Sequence, residues 1–309
     1  MRHLATSGLP TISRHKRVES QPLRLISKDA DIDAFQDFSM TSSPPDYTVQ
    51  PKTFADRAAL IAHVAALSPR EEPVAAGMLT GNSAAAAQRL ADLDPVAYAR
   101  GRNFLDGPVT MLSPYIRHGM VSLNAARNIA LSRVRRPDEA EKFIQELAWR
   151  DYWQRVARRH PEWLWQDIEP YKTGFMARDY AADLPEDIHA GETGVAAIDG
   201  LIALLKREGY LHNHGRMYLA AYIVHWRRVS WQAGARFMLL HLVDGDTASN
   251  NFSWQWVAST FSRKPYIFNL ENMRKYCGGL INTDDRHNMP LAAGYDVLTL
   301  RLFPDMEPM

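Results

Sequence analysis

Apolar residues recur three and four positions apart along most of this chain, the repeat of helices that turn one face toward a core. The pattern begins near Thr53, where Phe54, Ala58, Ile61 and Val64 hold near-helical spacing, and Pro69 and Pro73 break it. An alanine-rich stretch from Ser83 to about Ala91 predicts the next helix. Beyond residue 110, helices are predicted over 122–133, 138–159, 194–208, 212–228, 230–242 and 247–260, with Gly, Pro, Asp and Asn at the joints. No segment alternates as a strand and no glycine-rich turn follows one, so nothing suggests a doubly wound nucleotide-binding domain. The expected architecture is an all-α domain over 53–280. A largely irregular extension, 1–52, precedes it and a C-terminal tail, 281–309, follows.

Composition narrows the class. The 309 residues have room for one large domain or two ordinary ones, and 46% hydrophobic with 23% charged residues is usual for a globular protein. No apolar run reaches the length of a membrane span and no apolar signal core follows the N-terminus, so a cytoplasmic protein is the simple expectation. The single cysteine, Cys277, excludes an internal disulfide framework and any all-cysteine metal or iron–sulfur site. A net charge of +1 announces no nucleic-acid partner. Arginines do cluster at 133, 135 and 136, at 155, 158 and 159, and at 227 and 228. These are solvated faces unless they rim one concave surface.

Four segments carry candidate chemistry. In residues 241–261, HLVDGDTASNNFSWQWVASTF, an acidic turn runs into a helix with paired asparagines and two tryptophans. Asp246 can cap that helix, and Asn250 and Trp254, four apart, point to one side. Such a segment is either a capped helix with an aromatic core face or the wall of a site for a planar, redox-active, hydrogen-bonding ligand. In residues 143–153, FIQELAWRDYW, Glu146, Trp149, Arg150 and Trp153 share a face, as an ion-pair surface over core tryptophans or as a pocket. Residues 209–217, GYLHNHGRM, bring Asn213, Arg216 and Met217 together. His212, His214 and His225 share no face, so no metal site is expected. In residues 98–122, Tyr98, Thr110 and Ser113 offer hydroxyls ahead of a helix, a polar loop or an anion cradle.

Taken in order, the four segments resemble the flavin-binding part of the DNA photolyase/cryptochrome family, whose D-G-D-x-x-x-N-N-x-x-W-Q-W and E-L-x-W-R-[DE]-[FY] patterns stand here at 244–256 and 146–152. SRKPYIFNLENMRKY, 262–276, is similar to the family's closing segment. The resemblance runs from about residue 80 to 276. It implies a helical domain that holds FAD non-covalently and bent, with Tyr98, Thr110, Ser113, Arg216, Asp244, Asp246 and Asn250 on the cofactor and Arg216 paired with Asp244. It places Asn250 beside flavin N5, as in photolyases rather than in cryptochromes with aspartate or cysteine there. It further implies light-driven repair of cyclobutane pyrimidine dimers in damaged DNA by electron transfer from reduced flavin, with Glu146, Trp149, Asn213, Met217 and Trp256 at the lesion. Trp254 and Trp231 would begin a tryptophan chain, for which residues 171–193 supply no third member. Tyr171, Tyr180, Trp163 and Trp165 are the candidates.

Three departures qualify this expectation. Val109 replaces a usual threonine and His214 a usual arginine, and nothing in these residues reads as the α/β antenna domain with which such proteins normally begin. A free-standing flavin domain is therefore expected. The other readings are a flavin photoreceptor or redox signalling protein without repair activity, and a subunit that works with a separately encoded partner chain.

Overall fold

The computed structural model describes residues 51–67 and 79–306; the extension through residue 50 and the break at Pro69 and Pro73 lie outside the described residues. The first helices are α1 (Arg57–Leu67), α2 (Ser83–Ala91), α3 (Pro95–Gly101), α4 (Ser113–Arg117), α5 (Leu123–Ser132) and α6 (Glu141–Arg159). They are followed by α7 (Glu186–Ala190), α8 (Ala196–Glu208), α9 (Asn213–Ala221) and α10 (Trp231–His241). The series ends with α11 (Thr247–Ala258), α12 (Leu270–Tyr276) and α13 (Tyr295–Leu302). No sheet forms among the described residues; a single parallel bridge joins Ala181 to Val229. The chain is all-α. No helix among these residues is long and apolar enough to cross a membrane.

Local chemistry sets six of the helix starts. The side chains of Asn82, Asp94, Ser122, Ser230, Asp246 and Asn269 accept bonds from free amides in the first turns of α2, α3, α5, α10, α11 and α12. The stretch predicted as one helix over 212–228 is α9 followed by a π-helical turn, Tyr222–Trp226. Such turns insert a residue into the helical repeat, which periodicity in sequence does not reveal.

Apolar side chains gather in two main clusters. Leu201, Ile202, Leu205, Leu219, Trp231 and Trp254 belong to the larger, built around α8–α11. Leu112, Tyr115, Ala126, Ala130 and Phe143 form the second, from α4, α5 and α6. Helix α11 packs against α6, α9 and α10 and thereby ties the two together. Its approach to α10 depends on Gly234, where an added Cβ would lie 2.3 Å from the Trp254 ring. Residues 281–306, set apart in the sequence as a tail, are built into this domain. Asn288 accepts a bond from the Ala197 amide at 2.8 Å, the Trp226 indole donates to the Pro290 carbonyl at 3.0 Å, and Leu298 and Leu302 of α13 are buried.

Candidate functional site

A cavity of about 1170 Å³ opens between the two clusters, walled by α6, α9 and α11, the end of α10, and the loop before α4. Thirteen of the fourteen residues singled out in the sequence line it: Tyr98, Thr110, Ser113, Glu146, Trp149, Asn213, Arg216, Met217, Asp244, Asp246, Asn250, Trp254 and Trp256. Trp231 does not. It is wholly buried in the larger cluster.

The acidic turn is held from several sides. Gly209 ends α8 in the left-handed region, φ 62°, and its carbonyl accepts a bond from Val243 at 2.8 Å. Arg117 donates to the Gly245 carbonyl at 2.7 Å, and His118 meets that of Val243 at 2.8 Å. Arg216 is anchored through its Nε on the Leu211 carbonyl at 2.7 Å and donates to both oxygens of Asp244 at 3.0 and 2.8 Å. Burial alone would raise the Asp244 carboxyl. The Arg216 guanidinium, the Ser113 hydroxyl and Arg150 outweigh it and hold that carboxyl below the usual range. A full negative charge therefore stands in the wall although Asp244 is only 4% exposed.

Asp246 works differently. One oxygen caps α11 through Ser249 at 2.7 Å; the other accepts from Gln154 at 2.6 Å and Arg150 at 3.4 Å. It couples α6 to α11 from the cavity wall. Two buried polar atoms on cavity-lining residues have no protein partner: Trp254 Nε1 and Ser249 Oγ. Because His212 accepts from the His214 amide through Nδ1, its proton is on Nε2. Burial, with His214 beside it, lowers its pKa to about 4 and keeps it neutral. Unpaired buried donors are costly, and a polar ligand satisfies them.

The other end of the cavity is aromatic and open. Trp149, 46% exposed, stacks on Trp153 at 5.2 Å, and Trp153 stacks on the buried Phe252 at 5.3 Å. Trp256 is 43% exposed and tilts against Tyr266. Glu146 is bound by Arg102 at 3.1 Å and Lys142 at 3.3 Å. Asn213 donates to the Met217 sulfur at 3.5 Å. Tyr98, assigned by resemblance to a phosphate, lies at this end: burial and the Glu146 charge raise its hydroxyl to about 12, and Arg102 bonds to it. Thr110 accepts from the Leu112 amide at 3.4 Å.

Several lining residues were not singled out as site residues: Arg102, Lys142, Tyr152, Tyr210, Phe261 and Arg263. Lys142 and Arg102 had a signal, lying four residues before Glu146 and four after Tyr98. The arginine clusters do not line the cavity. Arg227 pairs with Asp187 at 2.7 Å, Arg228 lies over the Phe175 ring, Arg155 pairs with Asp151 at 2.7 Å, and Arg136 pairs with Asp138 at 3.2 Å. Of the candidates beyond Trp231, Trp165 stacks on it at 6.4 Å and 7°, and Asp167 accepts the Trp231 indole N–H at 2.6 Å. Tyr171 and Tyr180 stack on each other at 4.3 Å, and Trp163 stacks on His160. Burial pushes the Cys277 thiol up to about 12 and leaves it a passive group. No cluster of three or more His, Cys, Asp or Glu suited to a metal occurs among the described residues.

Comparison with known proteins agrees with this geometry. Residues 143–277 match the family described as the FAD binding domain of DNA photolyase. A deoxyribodipyrimidine photo-lyase of Streptomyces griseus is 36% identical over 167 residues, 53% of this chain and 35% of that protein. One from Halobacterium salinarum is 33% identical over 171 residues, again 35% of its length. Among solved structures, an archaeal photolyase from Sulfolobus tokodaii with two FAD molecules matches with a TM-score of 0.54 at 26% identity, covering 65% of this chain and 45% of that one. A Synechocystis cryptochrome shares the fold, with a TM-score of 0.59 at 21% identity over 73% of this chain and 52% of its own. The chain thus spans about a third of those curated relatives and about half of those solved structures. Residues 143–277 are similar to the FAD binding domain of DNA photolyase, and the helical fold is the one those photolyase and cryptochrome structures share.

Proposed function

We propose that FAD fills the buried end of the cavity and that the open end receives a cyclobutane pyrimidine dimer turned out of damaged DNA, which is repaired in light. One observation carries the reading: a buried carboxylate, amide and indole (Asp244, Asn250, Trp254) and an exposed aromatic mouth (Trp149, Trp256) line one continuous cavity. The residues fit FAD. The volume is somewhat above that of ordinary ligand pockets, as a cofactor of this size requires, and the unpartnered donors of Trp254 and Ser249 await a polar ligand. Bound FAD supplies the light absorption and the one-electron chemistry.

The chain supplies position and electrostatics. The Arg216–Asp244 pair, Asp246 and Asn250 would orient the ring system, while Ser113 and Thr110 stand where the diphosphate is expected. Trp149 and Trp256 offer flat faces on which an extruded base stacks, a contact worth about 1–3 kcal/mol per base. Extrusion costs least at a damaged step, so the pocket selects lesions partly through the DNA itself. Glu146, with Arg102 and Lys142 against it, would hold hydrogen bonds to the dimer, and Asn213 and Met217 close that wall. The cations Arg102, Lys142 and Arg263 face this end of the cavity and suit a phosphate backbone.

The test is blue-light repair of an oligonucleotide with one thymine dimer, using FAD-loaded, chemically reduced protein. Light-dependent loss of the dimer is expected. Dimer that persists while FAD is bound would overturn repair and leave the flavin photoreceptor, or a subunit that needs a partner chain, as the better reading.

A further inference from the structure

The two adjacent asparagines of α11 form a chain of fixed polarity. A backbone carbonyl can only accept, so each side-chain amide that meets one must turn its nitrogen toward it. Asn251, wholly buried, donates through Nδ2 to the Leu164 carbonyl at 2.6 Å. Its Oδ1 is thereby left to face Asn250, from whose Nδ2 it accepts at 3.0 Å. The second N–H of Asn250 goes to the Ala235 carbonyl of α10 at 3.2 Å. Both donors of Asn250 are spent on the protein, which leaves Oδ1 as the side-chain polar atom that this cavity-lining residue can offer a ligand.

The Leu164 carbonyl that starts this chain is itself fixed. It lies in the short 3-10 turn Pro161–Leu164, and the preceding Trp163 carbonyl accepts from Gln255 Nε2 at 2.7 Å. Gln255, one helical turn beyond Asn251 and equally buried, is held in its own orientation by bonds from the Ile168 amide at 3.1 Å and the Thr260 hydroxyl at 3.0 Å. Two buried amides of α11 therefore grip two successive carbonyls. Reversing the Asn251 amide would set oxygen against the Leu164 carbonyl and nitrogen against the Asn250 nitrogen, losing two buried hydrogen bonds at once.

We infer that Asn251 is a positioning residue which, oriented by the Leu164 carbonyl and acting together with the Ala235 carbonyl, holds the Asn250 amide as an acceptor toward the cavity, so that the site favours a ligand edge that carries a hydrogen. This rests on the reading that FAD occupies the cavity with its N5 edge toward Asn250. Oxidised flavin presents a bare acceptor at N5 and reduced flavin an N–H. An amide locked with its oxygen outward discriminates between them; an amide free to turn satisfies either.

The experiment measures dissociation constants for oxidised and reduced FAD, anaerobically, on the full chain. In Asn251→Ala the preference for reduced over oxidised FAD should fall about fivefold, the size of one ordinary hydrogen bond. Asn251→Ser, polar but too short to bridge Leu164 and Asn250, should give the same fall and serves if the alanine variant does not fold. In an Asn250→Ala background the effect of Asn251→Ala should vanish, because Asn251 acts through Asn250. FAD bound with an unchanged preference in either variant, or an effect that persists without the Asn250 side chain, overturns the inference alone. A parent protein that binds neither form of FAD overturns the cavity reading and this inference with it.

Discussion

The two ends of the cavity solve opposite problems with similar residues. At the buried end, Asp244 keeps its charge because Arg216 grips both oxygens and Ser113 and Arg150 add to the field. At the open end, Glu146 is shared between Arg102 and Lys142, side chains that solvent also reaches. The tryptophans differ in the same way. Trp254 is packed against Gly234 with its indole N–H unpartnered, whereas Trp149 and Trp256 present nearly half of their surface. A buried ion pair and a buried indole cannot rearrange cheaply, so that end suits a resident group held in one pose. Exposed rings and exchangeable ion pairs suit a ligand that arrives and leaves.

Removing Asp244 should break this contrast most severely. Asp244→Ala leaves the Arg216 charge without its carboxylate partner, and we expect a loss of about 3 kcal/mol in unfolding free energy together with loss of FAD retention. Denaturant melts and flavin absorbance after gel filtration read both; a variant of parental stability that keeps its flavin would mean that the pair does not organise the buried end.

Acid should act next, and selectively. His212 and His225 are depressed by burial to about 4 and about 3, below the ordinary value near 6.5. The folded protein therefore keeps them neutral while the unfolded chain takes up protons. Their contribution to stability is complete above about pH 6.5 and is lost as pH falls through the window down to about 4. Melting temperatures between pH 7.5 and 4.5 should decline, and less so in His212→Gln; a flat profile would show that neither imidazole is held neutral.

The smallest effect on the fold should come from the open end. Trp149→Ala is expected to change stability by no more than about 1 kcal/mol, since nearly half of the residue is already solvated. It should leave FAD bound and lower repair at least tenfold, in line with the stacking contribution of about 1–3 kcal/mol. Loss of flavin in this variant would show that the two ends are not separable.

Much of this was legible in residue order. The alanine-rich segment is α2 over the predicted residues and Asp246 is the cap of α11, because helical period and capping are short-range chemistry, whereas the meeting of Arg216 with Asp244 was expected only from the resemblance. The π-helical turn at Tyr222–Trp226 was not legible, nor was the incorporation of residues 281–306 into the core, since each depends on what packs from elsewhere. The arginine runs were the most conspicuous charges in the chain, yet none lines the cavity: Arg155 pairs with Asp151, Arg227 with Asp187, and Arg228 lies over the Phe175 ring.

The sequence by itself determined that the chain is helical, where most helices start, and which four segments carry polar and aromatic groups with a shared purpose. Hydrophobic period and capping chemistry are local, and local signals survive in one dimension. Only the tertiary structure decided that Arg102 and Lys142 share Glu146, that Trp231 stands in the core beside Trp165 and Asp167, and that Asn251 and the Ala235 carbonyl both accept from the Asn250 amide nitrogen. Those outcomes depend on which donor meets which acceptor across helices far apart in sequence. The polarity of a buried amide is set by partners that no spacing rule in the chain can name.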